Sequence, residues 1–326
     1  MSLTVKNLNK KYGEKTVVED LSFCLEHPGV YALLGTNGAG KTTSIRMILG
    51  MLAKNGGEVL WNDEPLDPMK VNVGYLAEER GLYPKYALMD QLLYFAKLKG
   101  VSKETAKKRI KYWSGRLELD EYLYPDKNAT QKAKTKKSKP KTADQLSKGN
   151  QQKVQLMAAL LSDPDLLILD EPLSGLDPVN TDLFKSIIRE EISKGKYLIL
   201  SSHQMEVVEE FCEDITILNR GKAVVQGNLN EIKKGYGRVN MFVKCDNPFD
   251  DIIAKHGLTV INDTPDGTQI KVTGDACAQN FLADLLANGR GVVKFELREP
   301  FLHEIFVEVA GAAQESETQK GEGNEQ

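Results

Sequence analysis

Cysteine is scarce in this chain: four residues in 326, Cys24, Cys212, Cys245 and Cys277, scattered without metal-ligand spacing. That pattern argues against a disulfide framework or a zinc site and in favour of reduced thiols in a cytosolic protein. No apolar run approaches the roughly 18 to 20 residues needed to span a bilayer, and the N-terminus lacks the charged-then-apolar layout of a signal peptide. A membrane role would therefore come through a partner. An excess of one charge is missing too: 43 Lys and Arg stand against 46 Asp and Glu, and the formal net charge of −3 gives no whole-chain argument for nucleic acid or an anionic membrane. The ordinary apolar fraction of 41% and charged fraction of 27% fit a globular protein with room for two domains.

Against that plain background stand residues 29–43, where an apolar run drops into Gly35-Thr36-Asn37-Gly38-Ala39-Gly40-Lys41-Thr42-Thr43. A loop that wraps phosphates must bring backbone N–H groups to the oxygens, and side chains at Gly35, Gly38 and Gly40 would obstruct it. Lys41 supplies a mobile charge for outer phosphates and Thr42 a hydroxyl for a magnesium ion. The segment from Thr43 to Ile48 reads as a helix whose positive N-terminus faces the anion. An ordinary glycine-rich turn is the plainer alternative; the complete Gly-x4-Gly-Lys-Thr pattern between strand and helix argues against it.

Residues 1–28 alternate apolar and polar around Leu3, Val5, Leu8, Val17, Val18, Leu21 and Phe23, which predicts antiparallel strands ahead of the cradle. Between them, Tyr12 either packs or stacks on an adenine ring, and from this stretch alone packing is the commoner outcome. Residues 57–61 and 71–76 read as strands, followed by a polar loop around Glu78. Residues 88–124 carry helical stripes broken at Gly100, within a helical subdomain of about 86–165. Inside it, 126–142 is rich in Lys and nearly free of apolar side chains, an exposed mobile loop. A solvated charge run is its commoner outcome, and a contact for lipid or nucleic-acid phosphates the functional one.

Ser147 opens Leu146-Ser-Lys-Gly-Asn-Gln-Gln152 before a helical pattern at Val154, Met157, Ala158 and Leu161. Ser147 is read as an N-cap, or with Gly149 as a donor to an anion. Leu166–Leu169 predicts a strand buried on both faces, ending in Asp170-Glu171. Surface acids closing a strand are the bland reading. Beside a phosphate cradle, Asp170 can hold magnesium while Glu171 orients and deprotonates an attacking water. Ser174–Pro178, containing Asp177, is a turn. A second buried strand, Tyr197–Leu200, leads to His203, where a γ-phosphate could sit; a lone His is usually structural, so this reading leans on its neighbours.

The C-terminal third predicts strands at 239–245, 258–263, 268–273 and 292–298 and helices near 249–256 and 277–288. Their β-α-β-β-α-β order suggests a small ferredoxin-like domain within 231–310. A last amphipathic helix has Phe301, Leu302, Ile305, Phe306 and Val309 as its apolar face, and 311–326 reads as a disordered tail.

In this order, the cradle, the Glu78 loop, Leu146–Gln151, Asp170-Glu171, the Gly175-Leu176-Asp177 turn and His203 resemble the nucleotide-binding subunit of an ATP-binding cassette transporter. The likeness spans residues 1 to about 230, and Gly74–Tyr83 with Leu146–Lys153 is similar to the bacterial drug- and sodium-efflux branch, whose membrane domain is a separate chain. The resemblance implies an α/β P-loop NTPase cassette with N-terminal antiparallel strands, with ATP and Mg2+ as cofactors. It assigns Tyr12 to adenine, reversing the odds above, and Lys41 and Thr43 to phosphates within the Gly35–Gly40 loop that includes Asn37 and Ala39. Thr42 and Asp170 go to magnesium with Glu78 adjoining, Glu171 is the base, and His203 senses the γ-phosphate. Asp177 joins the nucleotide contacts, while Ser147 and Gly149 touch the ATP of a second copy in a head-to-tail dimer. The cradle is therefore expected to look incomplete in one copy.

The implied function is ATP hydrolysis powering export through a separate membrane permease, from the cytoplasmic inner face of the cell membrane; nucleic acid is not an expected partner. A soluble cassette ATPase of translation or repair is one rival, but such proteins usually carry two cassettes or a coiled-coil insertion. A nucleic-acid-linked regulator using the Lys-rich segment is another. Three positions depart from the family pattern: Glu78 stands where Gln is usual, Lys148 where Gly is usual, and Asn150 where Gln is usual.

Overall fold

The computed structural model describes residues 1–79, 81–124 and 140–309. Of the expected loop at 126–142, residues 126–139 lie outside the described residues, as does the expected tail at 311–326; Pro140 and Lys141 are exposed, and 141–142 are tied by main-chain contacts to 87–88. The chain forms two compact units, Met1–Gln226 and a second beginning at Gly227.

In the first unit, β1 (Leu3–Tyr12) and β2 (Lys15–Leu25) form the expected antiparallel pair, with Leu3 opposite Leu25 and Val5 opposite Phe23. β3 (Gly29–Leu34) is buried throughout and feeds α1 (Lys41–Ile48). β4 (Gly56–Trp61) and β5 (Glu64–Pro65) extend the antiparallel arm, and β6 (Val73–Leu76) joins the parallel part. β6 begins two residues later than its apolar pattern suggests; before it, the Asn72 side chain donates to Ser162 O and Asp163 O. The helical stripes become α2 (Leu88–Leu98), α3 (Lys103–Arg116), α4 (Asp120–Leu123) and α5 (Lys148–Leu160).

Just before α5 the chain is tied to the turn that opens α2: Thr142 bridges Ala87, Leu88 N donates to Lys141 O, and Asp144 N to Pro84 O. Then follow β7 (Leu166–Asp170), α6 (Pro178–Ser193), β8 (Tyr197–Ser202), α7 (Met205–Phe211), β9 (Asp214–Asn219) and β10 (Lys222–Asn228). The ten strands make one sheet in the order β5-β4-β1-β2-β10-β9-β3-β8-β7-β6. β7 and β8 are buried at every position, as parallel strands covered on both faces must be.

The second unit runs α8 (Leu229–Tyr236), β11 (Asn240–Cys245), α9 (Asp250–His256), β12 (Thr259–Thr264), β13 (Gly267–Lys271), α10 (Asp275–Ala287) and β14 (Val292–Arg298). Its antiparallel sheet has the order β12-β13-β11-β14, the ferredoxin-like arrangement, over a core containing Met241, Val243, Ile252, Ile270, Phe281 and Leu285. A final helix covers 302–309 and buries Leu302 and Ile305, with Phe306 and Val309 half-buried. Phe301 does not belong to that apolar face: it precedes the helix and is exposed, and its backbone N donates to Glu304 Oε2 as a cap. Among the described residues no helix is long and apolar enough to cross a membrane.

Candidate functional site

The strands β3, β8, β7 and β6 are neighbours in the sheet, so the loops at their carboxyl ends share one edge. Those loops carry Gly35–Thr43, His203, Asp170–Glu171 and Glu78, at the place where open α/β sheets bind ligands. The glycines work by close approach. A Cβ on Gly35 would lie 2.4 Å from Leu218 O, and one on Gly40 2.8 Å from Val17 O. Gly40, at φ 108, leads into α1 without a side-chain cap and with no acid in the first turn, which suits that helix end to an anion.

Lys41 Nζ donates to Gly35 O at 2.8 Å and Thr36 O at 3.3 Å, and lies 3.1 Å from Glu171 Oε1. Both partners of that ion pair are buried, at 6% and 5% exposure. Thr42 Oγ1 lies 3.2 Å from Asp170 Oδ1 and 3.4 Å from Glu78 Oε2. Asp170 sits in register with Ser201 of β8, whose hydroxyl donates to Oδ1. Burial pushes the Asp170 carboxyl above the usual carboxylate range, partly countered by the Ser201 and Thr42 hydroxyls.

Asp170 Oδ2 is buried with no hydrogen-bond partner. One unspent carboxylate oxygen beside a threonine hydroxyl suits a hard cation such as Mg2+, which takes one or two protein carboxylates and completes its shell with water and phosphate. Among the described residues no group of three or more His, Cys, Asp or Glu side chains could hold an ion. The Asp170 carboxylate and the Thr42 hydroxyl leave the remaining positions of such an ion to water and phosphate.

Glu171 adopts a left-handed backbone, φ 49, a conformation that costs a non-glycine residue about 1–3 kcal/mol. Its N–H donates to Ser201, at 3.0 Å to the hydroxyl and 3.2 Å to the carbonyl. Its Oε2 is 2.8 Å from His203 Nδ1, so the carboxylate is held between an ammonium and an imidazole. A cleft of 410 Å³ opens here, lined by Asn37, Gly38, Lys41, Thr42, Glu78 and Glu171 among others. A carboxylate fixed beside a cationic phosphate cradle can accept a proton from water.

Other expected site residues lie elsewhere. Ala39 is buried under the loop, its carbonyl accepting from Gly221 N. Tyr12 is exposed on β1 with Lys10 Nζ 4.8 Å from its ring centre. Ser147 caps α5 by accepting from Asn150 N at 3.2 Å. Asp177 caps α6 by accepting from Asn180 N at 3.0 Å. A Cβ on Gly149 would lie 3.3 Å from Asn180 Nδ2, so Gly149 and the Asp177 turn adjoin. Tyr12, Ser147, Gly149 and Asp177 are absent from the residues lining the cleft, as are Asp170 and His203, which join it through Thr42 and Glu171. Lys148 is exposed, and Asn150 Nδ2 donates to Tyr122 OH at 3.1 Å.

Motif reading missed three residues. Ser201 orients both acids and becomes visible only when β7 is laid against β8 in parallel register. Gln152 donates to Pro172 O at 2.6 Å and Gln155 to Glu79 O at 3.2 Å, joining α5 to two of the site loops. Their three-residue spacing on one helix face was the available signal.

A family model described as ABC transporter matches residues 18–174, and one described as the C-terminal domain of DrrA1-3-like ATP-binding proteins matches residues 227–310. The ABC transporter ATP-binding protein YhaQ of Bacillus subtilis (strain 168) is 41% identical over 315 residues, 96% of this chain and 100% of that protein. The chain belongs to the ABC transporter ATP-binding proteins.

Nod factor export ATP-binding protein I of Ralstonia nicotianae is 32% identical over 234 residues, covering 71% of this chain and 68% of that protein. A solved ATP-binding subunit of an ABC transporter matches with TM-score 0.63 and 29% identity over 72% of this chain and 93% of that one. As an ABC transporter ATP-binding protein, the chain binds and hydrolyses ATP as the ATPase subunit of a transporter. In this ABC subunit, Gly35→Ala is expected to cost about 1–3 kcal/mol of stability, since a backbone carbonyl rather than a flexible side chain must yield. Denaturant unfolding alongside ATP titration reads both that loss and a weakened nucleotide affinity.

Proposed function

We propose that this chain powers export by closing as a head-to-tail dimer around ATP and Mg2+, relaying that motion to a separate membrane permease at the cytoplasmic inner face of the cell membrane. The observation that carries the reading is the division of the site: direct contacts join Lys41 to Glu171, Thr42 to Asp170 and Glu171 to His203, while Ser147 bonds Asn150 and Gly149 adjoins Asn180. They are therefore assigned to the ATP of the other copy, near Asp177. Lys41 and Thr43 hold phosphates, and Thr42 and Asp170 hold Mg2+ with Glu78 beside them. Mg2+ supplies positive charge against the phosphate oxygens. The exposed ring of Tyr12 stacks on adenine. Glu171 takes a proton from the attacking water, and His203, which keeps Glu171 Oε2 oriented, contacts the γ-phosphate.

A permease partner is supported by a 370 Å³ groove lined by Met51, Tyr75, Ala77, Leu82, Phe95 and Leu98 among others, which adjoins the Glu78 loop through Ala77 and Gly81. Met51 and Leu98 expose apolar surface there that this unit leaves uncovered. The export direction rests on the name of the Ralstonia relative.

Mixing two inactive variants tests the head-to-tail arrangement. A Lys41→Ala copy and a Gly149→Asp copy each spoil both sites of their own dimer. A mixed dimer has one site built wholly from intact parts, so mixing is expected to restore ATPase activity. Activity that stays at the level of the separate variants removes the arrangement.

A further inference from the structure

Three tyrosines expose large ring surfaces in one small region that the ATP site does not use: Tyr83 at 50%, Tyr86 at 65% and Tyr94 at 48%. All three line a single pocket of 420 Å³ together with Asp90 and Gln91, within the size range of small-molecule pockets. Tyr83 and Tyr86 meet edge to face, centroids 5.7 Å apart at 64°, which makes a corner rather than a stack. Tyr83 is backed by Phe95, near-parallel at 6.3 Å, and Tyr94 also packs against Phe95 at 5.9 Å.

The corner is built, not accidental. Gln91 of α2 is buried, and its side-chain oxygen accepts from Tyr83 N at 2.8 Å. Its nitrogen donates to Tyr83 O at 3.0 Å and Tyr86 O at 2.8 Å. Every polar atom of one buried side chain is thus spent on fixing the two backbones that carry the corner. Asp90 is the one charged residue lining the pocket among the described residues, and it is exposed. Lys85, in the same loop, is not part of that lining.

Aromatic faces are electron-rich, and several exposed rings lining one pocket with a carboxylate attract a large, weakly hydrated cation that can shed its water. We propose that Tyr83, Tyr86, Tyr94 and Asp90 form a binding site for a small organic cation bearing a methylated ammonium group. Methylation matters: the apolar shell of such a head fills the corner while its spread charge meets the ring faces, and Asp90 supplies long-range attraction without needing a donor from the ligand. The pocket exceeds a single head group, leaving room for the chain attached to it. None of its lining residues lines the ATP cleft, so occupancy does not compete with nucleotide for space.

The test uses the full chain with choline chloride as probe and 3,3-dimethylbutan-1-ol as its uncharged isostere, followed by saturation-transfer NMR of the probe methyl protons. Choline is expected to bind into the millimolar range and the alcohol to bind far more weakly. Tyr86→Ala and Tyr94→Ala, both at exposed positions, are expected to weaken choline by about threefold to thirtyfold each. Asp90→Asn should reduce both its affinity and its salt dependence. Unchanged basal ATPase rates in the tyrosine variants show that they remain folded. Equal binding of the alcohol, absence of choline binding, or unaltered choline binding by the tyrosine variants overturns the proposal.

Discussion

Glu171→Gln is expected to keep ATP binding and to lower turnover by about 10²–10⁴-fold, the range for losing a general base. The substitution preserves shape and leaves the left-handed backbone at 171 and its two bonds from N–H to Ser201 untouched. What disappears is the charge that takes the water proton while facing Lys41 at 3.1 Å and His203 at 2.8 Å. The neutral amide also releases Lys41 from its counter-charge, so the ammonium is fully available to phosphate and nucleotide affinity should hold or rise. With binding intact and hydrolysis blocked, closed dimers are expected to accumulate in ATP and Mg2+, visible as a doubled mass in light scattering. A variant that turns over ATP at the normal rate would remove Glu171 from the role of base.

Lys41→Ala is expected to weaken ATP by about 10²-fold or more, because one ammonium makes charge-assisted bonds each worth about 1.5–3 kcal/mol. It also carries a stability cost that phosphate binding does not explain. Glu171 is 5% exposed, and deleting its cationic partner leaves a buried carboxylate facing only the loop and His203. Breaking buried pairs in this way costs about 3–5 kcal/mol, and the half-exposed His203 should hold the loss to the lower end. The same truncation in the Glu171→Gln background should cost markedly less, since no charge is stranded. Denaturant melts of the four proteins in this cycle give the coupling directly. Equal losses in both backgrounds would mean that the pair contributes nothing to folding.

Much of this was legible in the residues because the relevant signals are local. The buried parallel strands β7 and β8 announce themselves as unbroken apolar runs, and the glycines of the cradle are where backbone must approach backbone. The β-α-β-β-α-β order of the second unit also emerged from short periodic segments, each readable alone. What could not be read was which loops meet. β3 stands beside β8, with β7 and β6 following in reverse chain order, although four strands separate β3 from β8 in the chain, so the Lys41–Glu171 pair is a product of topology.

Ser201 stayed hidden for the same reason, since its partner Asp170 lies on a different strand. Phe301 misled because periodicity assigns a face but not the point where a helix starts. Tyr12 carries its own complication: Lys10 lies over the ring, which periodicity around 1–28 does not reveal.

The tie between 84–88 and 141–144 bears on how this protein tolerates change. Thr142 meets Ala87 and Lys141 O receives Leu88 N through backbone groups, which exist whatever side chains stand between Tyr124 and Pro140. The start of α5, with Ser147 as its cap, is thereby held to the turn that opens α2 by main-chain bonds. The place of α5 is therefore expected to survive exchange of side chains at either end of the tie, so long as the main chain there is kept.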